Sequence, residues 1–115
     1  IGLHVATDFF VRDIRAVVQN ADTWKKISSH ELIWKHEDHD IGWSFVDKHL
    51  ERREGVYNGS WKGPKASIIA RGLSGAVFVP RQEQGDMKAI ELTLTPECDA
   101  KKPVTCYVTL RKQEK

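Results

Sequence analysis

Two stretches of strict alternation constrain this chain more than anything else in it. Ile90, Leu92 and Leu94 alternate with Glu91, Thr93 and Thr95, and Val104, Val108 and Leu110 alternate with their neighbours in the same way. A period of two is the pattern of a half-buried β-strand. Between the stretches lies Asp99-Ala100-Lys101-Lys102-Pro103, which is polar and turn-forming. Residues 88–112 therefore read as a hairpin with one apolar face, and that face must be buried against another element. Phe10, Ile14 and Val17, spaced as on one side of a helix, are the expected cover.

The hairpin carries both cysteines. Cys98 has the parity of Leu92 and Leu94, and Cys106 that of Val108 and Leu110. If the cysteines oppose each other, Leu94 faces Leu110, Leu92 faces Lys112, and both sulfurs lie on one face within bridging reach. A disulfide between Cys98 and Cys106 is the expectation, contributing ~2–3 kcal/mol on a chain-entropy argument. It would place the protein in an oxidising compartment, periplasmic or extracellular. The alternative is a pair of reduced thiols, since free cysteine is often buried. A chain that starts at Ile1 fits either a cleaved leader or a domain boundary.

Composition narrows the class. The chain has 115 residues, 40% hydrophobic and 30% charged, as in ordinary globular proteins and unlike disordered ones. It shows no repeat, linker or low-complexity tract, so residues 1–115 read as one domain. No apolar run approaches the ~20 residues of a membrane-spanning helix, and no membrane span is expected. The net charge of +2 is too mild to imply a nucleic-acid partner.

The first half reads as helical. Thr7 or Asp8 would cap a helix running to about Asn20. Asp22 would cap a second, with Trp24, Ile27, Glu31 and Trp34 on one side. Asp40 would cap a third, with Trp43, Val46 and Leu50 aligned and Gly55 ending it; a short strand over Ile41 to Val46 is the alternative. The second half reads as strands at Val56 to Trp61, Ala66 to Ala70, Ala76 to Val79 and in the cysteine hairpin, with Gln82 to Asp86 a polar loop. A helix over Lys65 to Leu73 also fits the spacing. Asn58-Gly59-Ser60 matches the glycosylation acceptor pattern, but Asn-Gly also favours a type I′ turn, which is the preferred reading. The expected fold is α+β, with two or three N-terminal helices packed on one face of a four- to five-stranded, mostly antiparallel sheet.

Four side-chain sets could carry function. His36, His39 and Asp40 would share one side of a helix at spacings suited to a divalent ion, or else form a solvated charged end. His49 with Glu51, Arg52 and Arg53 supplies the base, acid and cations of metal-independent RNA cleavage, or an ordinary solvated helix. Trp24 and Trp34, flanked by Lys25, Lys26 and Lys35, would form a contact patch, or pack helix against sheet. The cysteines are the fourth set. No Gly-x-Ser-x-Gly elbow surrounds Ser60, Ser67 or Ser74, and no glycine-rich phosphate loop occurs, so no cofactor is expected. The leading expectation is a small exported binding protein, inhibitor- or effector-like, whose partner is another protein. The alternative is a ribonuclease or toxin domain acting on RNA through His49.

Overall fold

The computed structural model describes residues 2–17 and 21–111. They form one helix, α1 (Leu3–Arg15), a 3-10 turn (Ala21–Thr23) and eight strands: β1 (Trp24–Ile27), β2 (Glu31–His36), β3 (His39–Val46), β4 (His49–Tyr57), β5 (Trp61–Ala70), β6 (Leu73–Glu83), β7 (Asp86–Pro96) and β8 (Val104–Thr109). Strands β1 to β5 make a five-stranded antiparallel sheet in chain order, and β6 to β8 a three-stranded one. The protein is mostly β, so the expected layer of two or three helices on one sheet is overturned.

The helix begins one turn before the expected cap. Gly2 occupies the cap position, and the Thr7 hydroxyl bonds back to the His4 carbonyl at 3.0 Å inside the helix. Arg12 and Arg15 fall in the last turn, where cations complement the helix dipole. The helix ends at Arg15, with Ala16 as its C-cap, short of the expected end near Asn20; residues 18–20 lie outside the described residues.

The second and third helices are hairpins instead. Trp24 on β1 opposes Trp34 on β2, and Leu32 on β2 opposes Trp43 on β3. The strand alternative over Ile41 to Val46 is the one the chain adopts, as part of β3. Tight two-residue turns join the strands, one where no turn was expected and one inside the expected 82–86 loop, whose flanks belong to β6 and β7. Asp47 and Lys48 both take positive φ (47° and 65°) between Val46 and His49, as do Gln84 and Gly85 (53° and 85°) between Glu83 and Asp86. Two positive φ angles give the twist that two-residue hairpins need. At 58–60 a turn does form, but only Gly59 is left-handed (φ 82°), and Tyr57 pairs with Trp61 around it. The Lys65 to Leu73 helix is replaced by the end of β5 and the start of β6, and the strand expected over Ala76 to Val79 continues through Pro80, opposite Ile90, to Glu83.

One core serves all three layers. It joins Phe10, Ile14 and Val17 of the helix segment, Leu32, Trp34, Ile41, Trp43 and Leu50 of the first sheet, and Phe78, Ile90, Leu92, Leu94, Val108 and Leu110 of the second-sheet side. The apolar face expected for the hairpin is therefore the buried one, with α1 lying against β8. Backbone bonds tie the sheets together: the Phe78 amide donates to the Ser29 carbonyl at 2.8 Å, and the Leu73 amide to Lys48 at 2.9 Å.

Candidate functional site

Strand alternation sorts the β4 residues. His49, Glu51 and Arg53 project outward, and Arg52 and Glu54 inward towards α1. On the outer face Arg53 grips the Glu51 carboxylate through Nε (3.1 Å) and Nη2 (3.3 Å), while His49 Nε2 lies 3.3 Å from Glu51 Oε2. Burial alone would raise the Glu51 pKa, but the hydrogen bonds and charges of Arg53 and His49 outweigh it and hold the group below its usual range. Three of the four residues expected for RNA cleavage thus share a face, and Arg52 does not join them.

Arg52 reaches Asp13 of α1 through Nε at 2.6 Å and Nη2 at 3.3 Å, and also bonds Glu54. Trp43 Nε1 donates to the same Asp13 carboxylate at 2.7 Å. Arg52 further sits over the Phe9 ring, 5.3 Å from its centre. Burial opposes the Arg52 charge, yet the bonds to Asp13 and Glu54 raise its pKa; Arg52 in turn is the largest cause of the lowered pKa of Glu54. This network pins the last turns of the helix to the first sheet. Beside it opens a cleft of about 380 Å3 that includes Arg12, His36 and His39.

The histidines expected to bind a metal do meet. His36 and His39 oppose each other across the β2–β3 turn, with ring centres 5.5 Å apart. Asp40, one residue on, points to the other face. There it is buried, takes Lys25 Nζ at 2.7 Å and accepts the Tyr57 amide at 2.8 Å. The trio is split by the strand period, because a spacing chosen for a helix was applied to a strand. Among the described residues no group of three His, Cys, Asp or Glu is placed to hold a metal ion.

The tryptophan patch is interior. Trp34 is 1% exposed and packs against half-buried Trp24 with ring centres 5.5 Å apart. The pair joins strand to strand, and Trp34 has no surface to offer a partner. The cysteines are also not bridged: both are free, Cys98 exposed and Cys106 half-buried. Cys106 opposes Leu92, and Leu94 opposes Val104 instead of Leu110. A six-residue change of partner keeps every side chain on its face, which is why the buried face was read correctly while the bridge was not. Cys98 falls in the turn instead, where its carbonyl accepts the Lys101 amide at 3.0 Å. Burial raises the Cys106 pKa, as expected of an inert thiol.

The surface that sequence reasoning passed over is the outward face of β6–β8. Val77, Thr93 and Thr105 form one row across it, and Val79, Glu91 and Tyr107 the next. Thr93 and Thr105 join hydroxyls at 3.0 Å, and Arg81 comes to 3.9 Å from Glu91. Tyr107 is 59% exposed and Val77 40%. The signal was present in the alternation itself, since the outward strand positions Thr93, Thr95, Thr105, Tyr107 and Thr109 are all uncharged.

No protein-family model matches this chain, and no curated protein matches it. Among the described residues no helix is long and apolar enough to cross a membrane.

Proposed function

We propose that this protein works by protein–protein contact through the outward face of the β6–β8 sheet. The observation that supports this is the composition of that face. In a chain with 30% charged residues, two adjacent rows offer Val77, Thr93, Thr105, Val79 and Tyr107, and the single charge within them, Glu91, has Arg81 beside it. Protein interfaces are enriched in tyrosine and depleted in charge at their centres, because desolvating an ion costs more than desolvating a threonine or a ring. Export is no part of the proposal, since the bridge that argued for it is not formed.

The test is capture of a partner from the native source by immobilised protein and by four lysine variants. Val77→Lys and Tyr107→Lys should lose the partner. Val46→Lys and Ile68→Lys, at similarly exposed positions of the first sheet (37% and 38%), should keep it. Loss through Val46→Lys or Ile68→Lys alone would refute the assignment.

A second reading, metal-independent RNA cleavage at His49, is favoured by one observation: His49, Glu51 and Arg53 do converge. It requires RNA cleavage that survives a chelator and drops by at least ~100-fold in His49→Ala. Intact RNA after long incubation with pure protein ends it.

A further inference from the structure

The bend at 58–60 carries a motif, Asn58-Gly59-Ser60, that neither the core nor the proposed contact face uses. Its two ends are anchored. The Tyr57 amide donates to Asp40 Oδ2 at 2.8 Å, and the Tyr57 carbonyl accepts from Lys25 Nζ at 3.1 Å. On the far side the Trp61 ring packs on the Tyr57 ring, centres 5.4 Å apart, and lies over Gly42. The middle of the bend is open. Asn58, Gly59 and Ser60 are exposed, and a methyl group built on Gly59 would meet no atom within 4 Å. One backbone bond crosses the bend, from the Asn58 amide to the Ser60 carbonyl at 3.2 Å. The Asn58 side chain and the Gly59 N–H have no hydrogen-bond partner among the described residues.

This is an arrangement in which an asparagine can cyclise. The backbone nitrogen after the asparagine must be free to turn towards the side-chain carbonyl carbon. A hydrogen bond to that nitrogen would hold it back, and a Cβ on the same residue would restrict its torsions; Gly59 has neither. We infer that Asn58 is a site of spontaneous covalent modification, deamidation with rearrangement of the main chain. The Gly59 nitrogen gives its proton to water or hydroxide and attacks Asn58 Cγ. The new N–Cγ bond closes a succinimide ring, and the bond from Cγ to the side-chain nitrogen breaks, releasing ammonia. Water then opens the ring. Opening at Cγ leaves aspartate; opening at the Asn58 carbonyl carbon leaves isoaspartate, with one more carbon in the main chain. Nothing is oxidised or reduced.

The anchored ends give the two products different consequences. Aspartate adds a charge at an exposed position and leaves the backbone as it was. Isoaspartate lengthens the chain between Tyr57 and Trp61, which are paired across the bend. That pair must shift, and the contacts that give way are the Tyr57 amide on Asp40 and Trp61 over Gly42. The outer face of the first sheet then loosens at this end. The modification concerns the β4–β5 hairpin and the proposed contact face lies on β6–β8, so the two stand or fall separately.

The test is incubation of the pure protein at mildly alkaline pH, folded and in urea. Peptide mass mapping reads amide-to-acid conversion at position 58, and an isoaspartate methyltransferase used as a reagent reads the rearranged product. Asn58 should convert in the folded protein at a rate within a few-fold of that in urea, with isoaspartate among the products. Asn58→Gln should abolish methylation at this peptide. Ser60→Ala removes the glycosylation acceptor pattern, keeps the reacting pair, and should convert as the parent does. Amide hydrogen exchange then reads the consequence: the isoaspartate form should lose protection at Tyr57 by at least roughly tenfold, and freshly prepared Asn58→Asp should keep it. Conversion in urea but not in the folded protein would overturn the inference, because the hairpin would then shield the site. Unchanged protection at Tyr57 in the isoaspartate form would overturn its structural part. A glycan on Asn58 in protein from the native source would also overturn it, since the amide nitrogen could then no longer leave as ammonia.

Discussion

The five-stranded and three-stranded sheets hide their inner faces in the same core, and differ in what they do with the outer ones. The first sheet covers much of its outer face with its own residues and leaves Val46 and Ile68 exposed at its margin. Trp61 lies over Gly42 beside the fully buried Ile33, Lys25 and Tyr57 close over Asp40, and Arg53 and His49 clamp Glu51. The three-stranded sheet leaves its outer face uncovered and nearly neutral, with Tyr107 as its most exposed large apolar side chain. A face whose polar groups satisfy one another gains nothing from a partner that must first displace them. A face of threonine, valine and tyrosine is cheap to desolvate.

The inner faces give the largest expected effects and should not distinguish the sheets. Trp43→Ala in the first sheet should cost ~3–5 kcal/mol and Leu92→Ala in the second ~2–5 kcal/mol, the range for truncating buried large side chains. Urea denaturation that found one of them nearly neutral would mean that its sheet does not share the core. The outer faces should then part company. Gly42→Ala would place a methyl 2.6 Å from Trp61 Cζ2 and 3.3 Å from Ile33 Cγ1, so an overpacking cost of roughly 1–3 kcal/mol is expected. Adding Trp61→Ala should recover part of that cost, and strict additivity in the double mutant would show that Trp61 does not lie there.

Acid should weaken the fold through carboxylates of the first sheet. The folded-state pKa values of Glu51 and Glu54 are lowered, so their contribution is complete above the unfolded value of about 4.3 and is lost as pH falls through the folded values. Stability measured from pH 6 downward should therefore decline across that window, and less steeply in Glu51→Gln. An unchanged slope in Glu51→Gln would mean that the clamp contributes nothing. The smallest effects belong to the second sheet's outer face: Tyr107→Thr or Val77→Thr should change stability by under ~0.5 kcal/mol, as at open surface sites.

The same contrast decides what could be read from the sequence. The three-stranded side was legible because its alternation is strict and one face is wholly buried: Ile90, Leu92, Leu94, Val108 and Leu110 all lie where the pattern put them. Its register was not legible, because the loop after Pro96 shifts the partners without changing the faces. The five-stranded sheet was misread as helices for a physical reason. Two of its hairpins turn at Glu37-Asp38 and Asp47-Lys48, which lack glycine, proline and asparagine, and left-handed φ at Glu37 and Lys48 is not announced by those residues. With the turns unseen, aromatics on facing strands fell at helical intervals along the chain. The misreading carried through to the sites. Asp40 was grouped with His36 and His39, and Arg52 with His49, because helical spacing unites residues that a strand separates. Asp13 went unnoticed because only the packing of α1 brings it to β4.

Radical footprinting of the free protein and of the captured complex bears most directly on the difference between the two sheets. Tyr107 should be readily oxidised in the free protein and protected in the complex, while Tyr57 and Trp61 on the closed face react equally in both. Protection of Tyr57 and Trp61 with Tyr107 still reactive would place the partner on the first sheet and contradict the account.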